Sequence, residues 1–225
     1  MNARDWRDRR RGWSASPVAE GYDQRRFASV LGRRKHRNDV ARLLDTLAHH
    51  LPSPGRGPGG LILDLPCGTG RLGAELMAAG YRVVGADLAP VMLSQAAASA
   101  ASPMHLLCAE AEHLPLPAAA VDVVISLRFL IHIQDPAVRR EILAEMARVT
   151  RHLVIGQIRD PHSLKHRGRS LRRALGCAAQ LREPSPTHTQ LEAELRDAGL
   201  ELLSRVPISR VFSDKSLFVA RPLSS

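Results

Sequence analysis

Short apolar runs alternate with helical segments between residues 61 and 158, and this alternation constrains the fold more than any other feature of the sequence. Runs rich in branched aliphatic residues predict strands at Leu61–Leu65, Tyr81–Ala86, Met104–Cys108, Val121–Leu127 and His152–Ile158. The segments between them predict helices at Arg71–Ala79, Pro90–Ala101 and Pro136–Val149. Strands separated by helices form a parallel sheet with right-handed crossovers. We therefore expect an α/β domain with a doubly wound sheet and helices on both faces.

The alternation stops after residue 158 for about 30 residues and then resumes. A helix is predicted at Thr189–Ala198, and strands are predicted near Glu201–Val206 and at Leu217–Ala220. Gly199 suits the end of that helix, because glycine readily takes the left-handed conformation that follows many helices. The domain is therefore expected to span residues 61–225, with a basic, lid-like insertion near 159–188.

Residues 1–60 differ in pattern from the rest of the chain. The segment Arg25–Leu51 is predicted to be helical, because apolar residues recur in it at helical spacing. These residues are Val40, Leu43, Leu44, Leu47 and Leu51. Residues 52–60 read PSPGRGPGG, a run that neither a helix nor a strand tolerates. The sequence thus predicts a basic helical N-terminal extension followed by a linker.

Cysteine spacing and hydropathy exclude several classes of protein. Cys67, Cys108 and Cys177 form no Cys-x-x-Cys pair, which argues against a disulfide scaffold and against a zinc site. No apolar stretch reaches the ~18 residues that a membrane span needs. The arginine-rich amino terminus also lacks the apolar region of a secretory signal. We expect a cytoplasmic protein without a metal site.

The net charge of +10 admits nucleic acid as a partner. The charge is uneven, because residues 1–60 carry +7, residues 61–160 carry −2 and residues 161–225 carry +5. Of the 32 basic residues, 29 are arginine, a skew that genomic base composition can produce as easily as selection for phosphate contacts. Charge alone therefore leaves the nucleic-acid interpretation open.

The turn after the first predicted strand carries the strongest functional signal. Residues 63–71 read LDLPCGTGR, so that Asp64 ends the strand and Gly68 and Gly70 precede the helix. Glycines let the backbone pass close to a ligand, and the N–H groups of the helix face it. The alternative is a glycine-rich turn that binds nothing.

Three further motifs follow the later strands. Asp87 ends the second strand within VVGADLAPVML, where a carboxylate can bind both hydroxyls of a ribose or cap the helix that begins at Pro90. Residues 108–116 read CAEAEHLPL, and residues 121–126 read VDVVIS. All of these lie at or near the carboxyl ends of parallel strands, where open α/β sheets bind ligands.

In this order and spacing, the motifs resemble those of class I S-adenosylmethionine-dependent methyltransferases, chiefly the small-molecule branch, from about Leu61 to Ile158. The resemblance implies a Rossmann-like sheet of seven strands with the last antiparallel, and S-adenosylmethionine as the cofactor. It implies that the methionine part of the cofactor is surrounded by Asp64, Cys67, Gly68 and Gly70. It further implies Asp87 at the ribose, Leu88 and Met92 beside the adenine, Glu110 and Ala111 at the adenine edge, and Ser126 beside the reactive centre. Pro66 departs from the pattern, because the family usually has glycine there.

Two other functions stay open at this point. Gly68, Gly70 and Gly73 also match the G-x-G-x-x-G fingerprint of NAD(P)-dependent oxidoreductases, with Asp87 as the following acidic residue. That alternative gives residues 108–116 no role, and no Tyr-x-x-x-Lys pair is present. A catalytically silent relative that binds a partner is the other alternative, because cofactor-binding residues do not prove turnover.

Candidates for the acceptor side follow the fourth and fifth strands. His132 is the candidate catalytic base, since the pKa of histidine suits proton transfer near neutral pH; a structural histidine is the alternative. Arg128 on the same loop is a candidate for orienting an anionic acceptor, or a surface arginine. Residues 162–175 hold five basic and no acidic residues. They suit an acceptor lid or peripheral contact with an anionic membrane, and a solvated face is the alternative.

The sequence therefore predicts methyl transfer from S-adenosylmethionine to a small-molecule or lipid-like acceptor by in-line displacement. The alternative is a methyltransferase acting on RNA or another nucleic acid.

Overall fold

The computed structural model describes residues 29–51, 60–98, 104–159, 186–209 and 213–223. Its α-helices are α1 (Val30–His50), α2 (Arg71–Ala78), α3 (Pro90–Ala98), α4 (Pro136–Val149) and α5 (His188–Asp197). Its strands are β1 (Leu61–Asp64), β2 (Arg82–Asp87), β3 (His105–Cys108), β4 (Val121–Ser126), β5 (Thr150–Arg159), β6 (Leu200–Pro207) and β7 (Lys215–Pro222). A one-turn 3-10 helix at Leu130–His132 follows β4.

The strands described here form one seven-stranded sheet in the order β3-β2-β1-β4-β5-β7-β6. The pairs among β1 to β5 are parallel, whereas β7 runs antiparallel to both β5 and β6. Asp64 at the end of β1 lies opposite Gly85 on one side and Ile125 on the other. The expected fold, with its antiparallel last strand, is confirmed.

Each face of the sheet has its own hydrophobic core. On one face, residues of α1 and α2 such as Leu43, Leu47 and Leu76 pack with Ile62 and Ile125 of the sheet. On the other face, α4 and α5 bury a second set against the sheet: Ile142, Leu143, Met146, Leu191 and Leu195. Helices therefore cover both faces, as expected for a doubly wound sheet. The inner side of α1 shares a hydrophobic core with α2. The division of the chain at residue 61 into an N-terminal extension and a domain stays a prediction.

Local capping sets the ends of the helices that follow β4. Asp135 begins α4 by accepting a hydrogen bond from the Ala137 N–H, with proline next to it at the first helical position. Thr187 and Gln190 form a reciprocal capping box at the start of α5. Gly199, with φ of +78°, follows the end of α5 as the sequence predicts.

Strand β5 begins two residues before the predicted His152 and directly follows α4. The Thr150 hydroxyl bonds to the backbone carbonyls of Asp122 and Leu153, which holds this junction against β4. The end of the helix predicted at Pro90–Ala101 lies outside the described residues. None of the described helices is long and apolar enough to cross a membrane.

We expect Gly156→Ala to destabilise the fold by about 1–3 kcal/mol, because the new methyl group would overlap the ring of Phe218 on β7. Phe218 is fully buried and cannot swing away. Denaturant unfolding followed by circular dichroism measures the loss. The double variant with Phe218→Leu should recover part of it, since the smaller side chain leaves room. Equal stability of Gly156→Ala and the wild type would contradict this packing.

Candidate functional site

The turn at residues 65–70 is tied to both strands that flank β1. The Leu65 N–H donates to the Ile125 carbonyl of β4 at 2.9 Å, and the Cys67 N–H donates to the Ala86 carbonyl of β2 at 2.8 Å. The Leu65–Pro66 peptide bond is cis. These bonds fix the turn from two sides at the carboxyl ends of β1 and β2, where Asp64 and Asp87 lie.

Asp87 binds the turn through its side chain. One carboxylate oxygen accepts from the Gly68 N–H at 2.9 Å, and the other accepts from the Ala89 N–H at 2.9 Å. Burial raises the pKa of Asp87, and the backbone hydrogen bonds from Ala89, Gly68 and Leu88 oppose that rise. A carboxylate has about four lone-pair sites, so the half-buried Asp87 can still accept a further hydrogen bond.

The two glycines of the turn have different surroundings. Gly68 has a φ of +55°, and a Cβ built on it would meet none of the described atoms within 4 Å. Gly70 has a φ of +76°, and its Cβ would lie 3.1 Å from both Ala96 of α3 and Met104. Gly68 thus borders open space, whereas the small size of Gly70 lets α2 pack on α3. Contact of Gly70 with the cofactor stays a prediction.

Asp64 is buried without full hydrogen bonding. It is 2% exposed, and its Oδ2 has no hydrogen-bond partner among the described residues. Burial raises the pKa of Asp64 to about 8, Arg128 opposes the rise and Asp87 adds to it. A buried polar atom without a partner is costly, so this carboxyl group is suited to a ligand that brings a donor or a positive charge.

Cys67 and Ser126 are both buried at this edge. Burial and the neighbouring Asp64 and Asp87 raise the pKa of the Cys67 thiol, which keeps it neutral. A Cβ at Gly85 would approach the Cys67 sulfur to 2.9 Å, so the thiol packs where that glycine leaves room. Ser126 follows Ile125, and strand alternation turns it toward the α4 side of the sheet, away from the face of Asp64.

Residues 109–116, the acidic segment after β3, are held by hydrogen bonds from α4. Glu145 accepts from the Leu114 N–H at 2.7 Å, and Arg148 donates to the carbonyls of Leu114 and Leu116 at 3.0 and 2.8 Å. The Arg148 side chain also bonds to Glu145, which lowers the pKa of Glu145. At the start of the segment, the Ala109 N–H donates to the Asp87 carbonyl. The segment is thereby placed beside the end of β2.

The remaining candidates differ in exposure. Glu110, Leu88 and Met92 are half-buried, and the Glu110 carboxylate lies 4.0 Å from the His113 ring nitrogen. Ala111 is 8% exposed and belongs to the core on the α4 side. His132 is exposed at the end of the 3-10 helix. Their proposed roles remain predictions.

Sequence reasoning missed two buried polar residues near Asp64. His36 on α1 is 4% exposed, and its Nε2 lies 3.9 Å from Glu75 of α2. Gln157 on β5 is fully buried and accepts from the Arg128 N–H at 3.2 Å. No sequence motif marks either one, although a polar residue within the apolar run of β5 was a usable signal.

Residues 62–152 match the family described as Methyltransferase domain. These residues are similar to a methyltransferase domain. The matched segment begins in β1 and ends in β5, so it contains Asp64, the glycine-rich turn, Asp87 and the acidic segment. The family resemblance is thereby confirmed for this part of the chain.

This chain is also similar to individual proteins of known name, both in sequence and in structure. Malonyl-(acyl-carrier protein) O-methyltransferase of Serratia marcescens is 41% identical over 95 residues, which cover 42% of this chain and 35% of that protein. The crystal structure of magnesium protoporphyrin IX methyltransferase from Synechocystis PCC 6803 with bound SAH has a TM-score of 0.66 at 20% identity, covering 87% of this chain and 88% of that one. The cyclase SpnF has a TM-score of 0.61 at 17% identity, covering 82% of each chain. The chain thus matches about a third of the length of its curated relative.

Two further predictions concern a metal site and the basic segment at residues 162–175. Within the described residues, no group of three or more His, Cys, Asp or Glu side chains could hold a metal ion. The basic residues 162–175 lie outside the described residues, so their role as a lid stays a prediction.

Asp64 should make the ligand-free protein less stable as pH rises. Its pKa is raised from 3.8 to about 8 in the folded protein, so the folded state holds a proton that the unfolded state has already lost. The stabilising contribution is complete below about pH 4 and falls by up to about 1.4 kcal/mol per pH unit until about pH 8. Denaturant unfolding across this range measures the slope. Asp64→Asn, which cannot titrate, should flatten it, and equal slopes in both proteins would contradict the assignment.

Proposed function

We propose that the protein transfers a methyl group from S-adenosylmethionine to a small-molecule or lipid-like acceptor. The observation that carries the proposal is the hydrogen bond from the Gly68 N–H to Asp87, which joins an open glycine turn to a carboxylate at the end of β2. The methyltransferase-domain match over residues 62–152 supports it. So does the bound SAH of the Synechocystis structure with the same fold.

The residues present suit the parts of this cofactor. The open space at Gly68 admits a ligand against the backbone. The Asp87 carboxylate retains acceptor capacity for the ribose hydroxyls. The unpartnered Asp64 oxygen suits the α-ammonium group of the methionine part. Leu88 and Met92 supply apolar surface for adenine, and Glu110 and Ala111 lie on the segment that borders its edge.

Bound S-adenosylmethionine would supply an already activated sulfonium methyl group: an acceptor atom would attack the methyl carbon in line, the bond from that carbon to sulfur would break, and S-adenosylhomocysteine would leave. The chain then has to hold the donor still, align the acceptor and exclude water. Asp64, Asp87 and the turn fix the donor at the ends of β1 and β2. The end of β4 at Ser126 borders the reactive centre, with the Ser126 side chain itself turned toward the α4 side of the sheet. Where the acceptor must lose a proton, the exposed His132 is the base.

The acceptor is proposed to be small or lipid-like because related proteins act on such molecules. The Serratia relative is named for malonyl-(acyl-carrier protein), and the Synechocystis structure is named for magnesium protoporphyrin IX. We also propose a cytoplasmic location, with residues 162–175 as the lid or as a contact with an anionic membrane. The charge of +10 favours nucleic acid as a second candidate acceptor.

Labelled methyl transfer tests the proposal directly. Purified protein is incubated with cell extract and S-adenosylmethionine that carries an isotopic methyl group. We expect label in a small-molecule or lipid fraction. Label that ribonuclease releases would favour the nucleic-acid alternative. Cofactor binding without label in any fraction would favour a partner-binding protein or another reaction, as the cyclase SpnF shows that this fold also serves other chemistry.

Asp87→Ala should weaken cofactor binding by about 1.5–3 kcal/mol, because it removes a charged acceptor for the ribose and also frees the turn. Titration calorimetry with S-adenosylhomocysteine measures the loss. Asp122→Ala is the matched control, since Asp122 accepts from the Leu61 N–H at 2.8 Å near the opposite, amino end of the sheet. The control should lose stability and keep its affinity. Unchanged affinity in folded Asp87→Ala would reject the ribose assignment.

The two turn glycines should respond differently to valine. Gly68→Val places a branched side chain in the open space and should reduce cofactor affinity by at least about tenfold, in addition to the stability lost by placing valine at a φ of +55°. Gly70→Val collides with Ala96 and Met104 and should reduce stability by about 1–3 kcal/mol. Thermal unfolding and calorimetry on both variants separate the effects. Full affinity in Gly68→Val would remove the turn from the cofactor site.

A further inference from the structure

Arg128, two residues after β4, has an unusual backbone conformation. Its φ is +60°, in the left-handed region that residues with a side chain seldom occupy. Such a conformation costs free energy and persists only where surrounding contacts impose it. It therefore requires an explanation from the residues around it.

Gln157 supplies the contact that holds this conformation. Its side-chain oxygen accepts from the Arg128 N–H at 3.2 Å. The side chain is fully buried on β5, on the sheet face that carries Asp64, and its Nε2 has no hydrogen-bond partner among the described residues. A buried side-chain amide with one of its two polar atoms unpartnered costs folding free energy. This cost points to a role of Gln157 in positioning Arg128.

Arg128 lies at the same end of the sheet as Asp64, because Ile125 of β4 pairs with Asp64 of β1 and Arg128 follows three residues later. Arg128 lowers the pKa of Asp64 and, together with Arg71, that of His36. Burial is the largest cause for His36, whose pKa falls to about 4, so this histidine is neutral near neutral pH. The carboxyl end of β1 thus combines the buried Asp64 carboxyl group with the guanidinium group of Arg128, and Arg71 adds a second positive charge beside His36.

That combination matches an amino-acid zwitterion. A carboxylate binds an ammonium group, and the planar fork of a guanidinium binds a carboxylate through two hydrogen bonds. We propose that Arg128, held in its left-handed conformation by Gln157, binds the carboxylate at the amino-acid end of the cofactor, while Asp64 binds the ammonium group. The proposal rests on the proposed function, because it requires S-adenosylmethionine in this site. It assigns Arg128 to the donor side and not to an anionic acceptor.

Three ligands separate the groups by calorimetry. S-Adenosylhomocysteine has both the amine and the carboxylate, its decarboxylated analogue keeps only the amine, and methylthioadenosine lacks both. Arg128→Gly removes the guanidinium and keeps a backbone that accepts positive φ. We expect it to lose about tenfold or more in affinity for S-adenosylhomocysteine, and to bind the other two ligands as the wild type does. Arg128→Lys keeps the charge without the fork and should lose less.

Asp64→Asn gives the complementary pattern. It should weaken both ligands that carry the amine and leave methylthioadenosine unchanged. Arg151→Ala is the matched control for removing an arginine, since Arg151 is exposed near the start of β5 and pairs with Asp122. It should leave the affinities for all three ligands unchanged.

Gln157→Leu tests the positioning role. It should weaken S-adenosylhomocysteine selectively, and in the Arg128→Gly background it should have no further effect, because the group it positions is gone. Additive losses in the double variant would overturn the positioning role of Gln157.

The outcomes distinguish this inference from the proposed function. A folded wild type that binds none of the three ligands overturns the proposed function and the inference with it. Binding by the wild type, with equal losses for all three ligands in Arg128→Gly, overturns the inference alone. Full affinity of Arg128→Gly for S-adenosylhomocysteine does the same.

Discussion

The bond between the Asp87 carboxylate and the Gly68 N–H is the interaction on which the site depends. It joins the glycine-rich turn after β1 to the end of β2, so that one side chain both shapes the turn and presents its remaining lone pairs outward. The same strand end holds the next segment, since the Asp87 carbonyl accepts from the Ala109 N–H. Two loops are thereby set relative to one strand, which is how a rigid sheet positions a site built on loops.

Asp64 shows the cost of such a site to the folded protein. Its carboxyl group is buried at the end of β1 with one oxygen unpartnered among the described residues, and burial raises its pKa to about 8. A core side chain would make the ligand-free domain more stable. Under the proposed function, a ligand with a positive charge satisfies this group, and the stability given up without ligand is recovered on binding.

Acidic and basic side chains occur together near the carboxyl ends of β1, β2 and β4. Asp64 and Asp87 supply the acidic groups, and Arg71 and Arg128 supply the basic ones around the neutral His36. Gln157 holds Arg128 in this arrangement by accepting a hydrogen bond from the Arg128 backbone N–H. The overall charge of +10 is therefore a poor guide to this site, where nearby opposite charges matter more than the total.

The sequence by itself determined the order of strands and helices, the strand ends that carry Asp64 and Asp87, and the family, because hydrophobic periodicity and motif spacing are local properties. Only the tertiary structure decided what each residue meets. It separated Gly68, beside open space, from Gly70, packed on Ala96, although the two are indistinguishable in the motif. It also brought His36, Arg128 and Gln157 toward Asp64 from distant parts of the chain. Their proximity follows from strand register and from helix packing on one face of the sheet, and these long-range contacts leave no periodic signal in the sequence.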